Sequence, residues 1–189
     1  YMMSDEPLQS VAEVRTKKVW LPSNHEIGEA VFSSADIASV SLPLSDVLTA
    51  LQTGLIDTII TSPIGAIALQ WHTKIAYVVE EPLTYFGALL VINKKAFNKM
   101  SEADRQIVRD LMGQAFISID KQNRKDNVEA KQALKNQGIK FVSLSAASRK
   151  EWREVGDKAI KVLEKQHKYS DEVYQDLMRY VAESKQSGS

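Results

Sequence analysis

The sequence predicts an α/β fold, and three observations carry that prediction. Short runs of β-branched and apolar residues alternate with amphipathic helical stretches. Twice a strand-like run ends directly on a helix start, at Leu21–Ser23 and at Thr61–Pro63. One run, Leu55–Thr61, is apolar on both faces, as a covered parallel strand is. A helix N-terminus at the carboxyl end of a parallel strand is where open α/β sheets bind ligands, and its free N–H groups suit a polar or anionic one.

The elements follow in order. Ser10–Val14 is one helical turn. Lys17–Leu21 is a strand ended by Pro22. Ser23 and Glu26, three apart, make a capping box for a helix through about Ser33. Ile37–Leu42 is a weak strand. Ser45 is expected to cap a short helix with Val47, Leu48 and Leu51 on one stripe, and Gly54 sits where a left-handed stop is wanted. After Leu55–Thr61, Ser62 caps a helix led by Pro63 and continuing to Trp71. Ala76–Val79 is a short strand, and Tyr85–Asn93 is the most strand-like run of all.

From Ser101, with Asp104 three places on, to Gly138 nothing breaks a helix except Gly113. Ile107, Val108, Leu111, Met112, Ala115, Phe116 and Ile119 form its apolar stripe. The stretch Asp120–Gln132 is nearly all polar. Such a helix is about 54 Å long, whereas a compact globule of this size is about 42 Å across. It must project, kink, or run along a second lobe. Ile139–Leu144 is a strand and Ser145–Gln166 an amphipathic helix. A last helix, Glu172–Glu183, is expected to turn Val173, Leu177, Tyr180 and Val181 inward. Residues 184–189 are expected to be a disordered tail.

Composition narrows the function. Lys+Arg and Asp+Glu are balanced at 24 each, so nothing draws the chain toward nucleic acid. Cysteine is absent, which removes disulfides and thiolate metal sites. No apolar run is long enough for a transmembrane helix. Nucleotide-binding glycine loops, nucleophile elbows and zinc-protease motifs are missing. His25, His72 and His167 stand alone, and the reading for each is a surface or packing histidine. Asp57 is expected to cap backbone N–H groups, and Glu80–Glu81 to be an exposed pair. The cations of Lys121–Lys131 alternate with acids, as on a solvated face. No catalytic residue, metal ligand or cofactor is predicted. Trp20, Trp71, Tyr85 and Phe86 flank the junctions, where they can pack or meet a ligand.

The run Leu44-Ser45-Asp46-Val47-Leu48-Thr49-Ala50-Leu51-Gln52-Thr53-Gly54-Leu55-Ile56-Asp57 resembles a block of the solute-binding proteins of tripartite ATP-independent periplasmic (TRAP) transporters, of the C4-dicarboxylate-binding type. Thr61-Ser62-Pro63, Val91-Ile92-Asn93-Lys94-Lys95 and the long helix Ser101–Gln137 extend the resemblance over most of the chain. It implies a periplasmic binding protein-like (type II-like) lobe with a long lobe-bridging helix, and an N-terminal lobe that lies mostly upstream of Tyr1. Residues 1–83 would form ligand-binding lobe II. Residues 84–138 would supply the hinge-crossing strand and bridging helix, and residues 139–183 would complete the lobe.

The function implied is that of a hinge-closing periplasmic receptor without catalysis. It would capture a small solute, an organic acid or a less polar ligand, and deliver it to TRAP membrane permease subunits. Carried over residue by residue, the ligand-binding set is Trp20, Ser62, Ser23, Leu44, Pro63 and Tyr85. Trp20 stands where the family usually has an arginine that holds a carboxylate, Ser62 where it has an asparagine, and Leu44 where it often has an aromatic. The departures point to a less polar pocket, or to a cation supplied from elsewhere. Bare core surface on such a piece predicts self-association or domain swapping. Two other classes stay open: an interaction module built on the long helix, and part of an enzyme whose catalytic groups lie upstream.

Overall fold

The computed structural model describes residues 1–85, 87, 89–166 and 169–187. In chain order the elements are β1 (Met2–Ser4), α1 (Val11–Val14), β2 (Val19–Pro22), α2 (Glu26–Ser34), β3 (Ser39–Leu42), α3 (Val47–Thr53), β4 (Thr58–Ile60), α4 (Pro63–Ala68), β5 (Tyr77–Val79), α5 (Lys94–Asn98), α6 (Glu102–Asn136), β6 (Lys140–Val142), α7 (Ala146–Lys165) and α8 (Asp171–Ser187). They group into two compact units. Unit 1 is Tyr1–Pro7 with Ile60–Ser143, and unit 2 is Leu8–Ile59 with Leu144–Ser189.

In unit 2, β2 runs parallel to β3, with Trp20 opposite Val40, and parallel to β4, with Val19 opposite Thr58. Val19, Ile56, Thr58 and Ile59 are buried, as expected for a covered parallel strand region. α2 packs on α7 through Ala30, Ala159 and Leu163. Gly54 ends α3 at φ 70, the left-handed stop expected there. Asp57 caps backbone as expected, its Oδ1 accepting the Lys18 N–H at 2.9 Å.

In unit 1, β1 is antiparallel to β5, which runs parallel to β6. Met2, Met3, Trp71, Val78 and Leu134 are buried there. A side chain such as Leu134, removed from water, contributes about 1.5–3 kcal/mol. α6 is unbroken over 35 residues, starts on the expected cap, with Ser101 Oγ accepting from Asp104 N–H at 3.1 Å, and lies wholly in this unit. Its polar half is laced by pairs four residues apart, Arg124–Asp120 at 2.8 Å and Lys125–Glu129 at 3.7 Å.

Several expectations are corrected. Ser23 does not cap α2. It sits exposed in a turn with Asn24 at φ 60, and His25 is the cap, its Nδ1 accepting from Gly28 N–H at 2.9 Å. Ser45 does not cap α3 either. A 3-10 turn, Leu44–Asp46, follows Pro43, and the Ser45 hydroxyl donates to Asp46. α4 ends at Ala68, because Gln70 turns left-handed at φ 60 and a 3-10 turn, Trp71–Lys74, follows.

Among the described residues of Tyr85–Asn93 no strand forms. β5 already has β1 and β6 as neighbours, and a strand exists only through its ladder. Leu89, Leu90, Val91 and Ile92 are exposed instead. Phe86 lies outside the described residues. α8 runs on to Ser187, so residues 184–187 are helical rather than tail, and the last two residues lie outside the described set. Its Val173, Leu177, Tyr180 and Val181 face outward. The apolar stripe of α6 does the same at Ile107, Leu111, Met112, Phe116 and Ile119. An amphipathic period shows that a face suits cover, not that the chain itself supplies it.

Candidate functional site

The junction after β4 is built as the sequence predicts. Ser62 is the cap of α4, its Oγ accepting from Gly65 N–H at 3.1 Å, with buried Pro63 in the first turn. The free N–H groups expected there are largely taken. Pro63 has none. Gly65 donates to Ser62 Oγ, and Ala66 to Ser62 O at 3.0 Å. Ile64 N–H is turned to Asn127 Oδ1 at a long 3.4 Å. What this junction offers is therefore side-chain chemistry, from Ser62 and from the face of α6 against which α4 packs.

That face also carries Lys131, one turn beyond Asn127. Its Nζ donates to Tyr1 Oη at 3.3 Å and lies 4.6 Å from the centre of the Tyr1 ring. Tyr1 and Thr61 exchange both backbone hydrogen bonds, at 2.9 and 3.0 Å, so Tyr1 is fixed beside the carboxyl end of β4. Sequence reasoning missed Asn127 and Lys131 because the polar half of α6 looks uniformly solvated. The signal available was spacing: both share a face with the small or apolar Ala130 and Leu134, which are buried.

In unit 2, Trp20 is buried and its Nε1–H donates to Leu42 O at 3.0 Å. Leu44, two residues on, is exposed. Ser23 is exposed in the turn before α2. An open groove of about 260 Å³ runs beside α3, lined by Leu42, Asp46, Thr49, Ala50, Thr53 and Leu55. Tyr85, in unit 1, is exposed in irregular chain. The structure thus holds Ser62 and Pro63 at one junction in one unit, and ties Trp20 to Leu42, two residues before Leu44, in the other. His25 caps a helix and His72 Nδ1 lies 3.2 Å from Ala66 O, while His167 is outside the described residues. Among the described residues no three acidic or histidine groups are placed to share a metal ion, and no helix is long and apolar enough to cross a membrane.

Comparison with known proteins gives this geometry its context. A family described as bacterial extracellular solute-binding protein, family 7, matches residues 2–166. Similar solved structures include a TRAP periplasmic solute binding protein from Desulfovibrio salexigens with bound orotic acid, at 19% identity and a TM-score of 0.78, covering 96% of this chain and 58% of that one. Another, from Haemophilus influenzae with bound L-gulonate, is 17% identical with a TM-score of 0.79, covering 94% of this chain and 58% of that one. A third, from Shewanella oneidensis with bound succinate, is 20% identical with a TM-score of 0.78, covering 87% and 54%. No curated protein matches. The chain spans under three fifths of the length of these structures. They share the α/β, periplasmic binding protein-like fold, and a periplasmic place agrees with them. The family binds solutes rather than transforming them, and the chain belongs to it: it is a member of the bacterial extracellular solute-binding proteins, family 7.

Proposed function

We propose that the chain is part of a periplasmic receptor that captures a small organic acid, or a less polar solute, and hands it to TRAP-type membrane permease subunits. The family match over residues 2–166 carries this reading. The solutes named for the similar structures support the acidic option, since orotic acid, L-gulonate and succinate each bear a carboxyl group. The residues proposed to contact the solute are Ser62 and Pro63, Trp20, Ser23 and Leu44, and Tyr85. Trp20 is proposed to contribute an apolar wall, since its one donor is engaged with Leu42 O. Delivery without catalysis follows from the same reading.

Native mass spectrometry of the purified protein, followed by calorimetric titration with succinate, orotate, L-gulonate and sn-glycerol 3-phosphate, tests it. A co-purified small molecule or saturable binding of one of these is expected. No retained molecule and no binding would remove the reading. A second reading concerns association. The exposed stripe of α6 favours a helix-mediated contact, and we propose that the chain self-associates through it.

A further inference from the structure

An acidic solute needs a positive partner, and Trp20 does not supply one. Its indole N–H is bound to Leu42 O. Unit 1 holds a cation close to the β4–α4 junction. Lys131 is half-buried on α6, and its ammonium lies over the Tyr1 ring, 4.6 Å from its centre, and donates to Tyr1 Oη. Among the described residues no carboxylate forms an ion pair with it, whereas Arg124 and Lys125 earlier on the helix each have one. A lysine ammonium carries three donors, so two are left for a ligand.

Its position matters as much as its charge. The paired backbone bonds between Tyr1 and Thr61 fix the Tyr1 backbone beside the carboxyl end of β4, where α4 begins. Ligands of open α/β sheets bind outside that end of the strands. Asn127 lies four residues before Lys131, on the same face of α6, and already reaches the first turn of α4. An ammonium, a phenol, an amide and the Ser62 hydroxyl are therefore gathered around one strand end.

We propose that Lys131 is the cation that receives the acidic group of the solute, carboxylate or phosphate, with Tyr1 Oη beside it as a second hydrogen-bonding group. The role rests on the receptor reading above and narrows it to organic anions. A charge-assisted hydrogen bond is about twice as strong as a neutral one, which makes this residue decide between an acid and its uncharged analogue.

The test is calorimetric titration of the protein with succinate, its uncharged diamide succinamide, and sn-glycerol 3-phosphate. Lys131→Met keeps the stem and removes the charge. It is expected to weaken succinate and glycerol phosphate about 10- to 100-fold and to erase the preference for succinate over succinamide. Lys131→Arg is expected to keep most of that preference. Lys135→Met, which removes another ammonium stacked on a ring, here Phe141, is expected to change nothing. Unaltered succinate binding in Lys131→Met overturns the inference and leaves the receptor reading standing. So does an equal loss in Lys131→Met and Lys131→Arg, which marks a packing role, or tighter binding of succinamide than succinate by the unaltered protein. Failure of the unaltered protein to bind any of the three, or orotate or L-gulonate, with no small molecule retained, removes the receptor reading itself.

Discussion

Lys18 and Asp57, thirty-nine residues apart, are joined by two hydrogen bonds, and a third ties Lys18 to Gly54. Asp57 Oδ1 accepts Lys18 N–H at 2.9 Å, Asp57 N–H donates to Lys18 O at 3.1 Å, and Lys18 Nζ donates to Gly54 O at 2.9 Å. The same carboxylate oxygen accepts from the hydroxyl of Thr58, a fully buried residue, at 2.9 Å. Asp57→Ala leaves the buried Thr58 hydroxyl without its acceptor, while the exposed Lys18 N–H can turn to water, so we expect it to cost about 1–2 kcal/mol. Asp57→Asn keeps the Oδ1 acceptor and is expected to cost less than about 1 kcal/mol. Urea denaturation of the two variants checks this, and equal losses would show that charge rather than the acceptor matters.

Two glycines should respond in opposite directions to alanine. A Cβ on Gly28 would lie 2.3 Å from Leu21 Cδ1 and 2.6 Å from His25 Nδ1, so Gly28→Ala is expected to destabilise by about 1–3 kcal/mol. A Cβ on Gly113, inside α6, meets nothing within 4 Å, so Gly113→Ala is expected to stabilise by about 0.5–1 kcal/mol. Thermal denaturation separates the two by sign.

The exposed stripe of α6 gives a prediction about association. Leu111 is 57% exposed and Phe116 36%. We expect sedimentation to show concentration-dependent oligomers and Leu111→Glu with Phe116→Glu to shift them toward monomer. A strict monomer at high concentration before substitution would remove the self-association proposal.

Local chemistry was legible in the sequence. Ser62 with Pro63, Ser101 with Asp104, and Gly54 were placed correctly because a cap or a left-handed stop is decided by residues within one turn. The long helix was legible for the same reason. Ser23 failed where two local signals competed: Asn24 adopts φ 60 and hands the cap to His25, which composition rules rank low. Tyr85–Asn93 failed because a strand is a property of its neighbours. Lys131 was invisible because its meaning comes from Tyr1, 130 residues away.

The first turn of α4 has little amide hydrogen-bonding capacity to give away. Pro63 contributes none, Gly65 and Ala66 are held by Ser62, and Ile64 faces Asn127. A receptor built on such a turn recognises its cargo through interchangeable side chains rather than through the invariant peptide groups. On the proposed site, preference for one solute over another would then change by substitution at Ser62, Asn127 or Lys131 while the chain trace stays as it is.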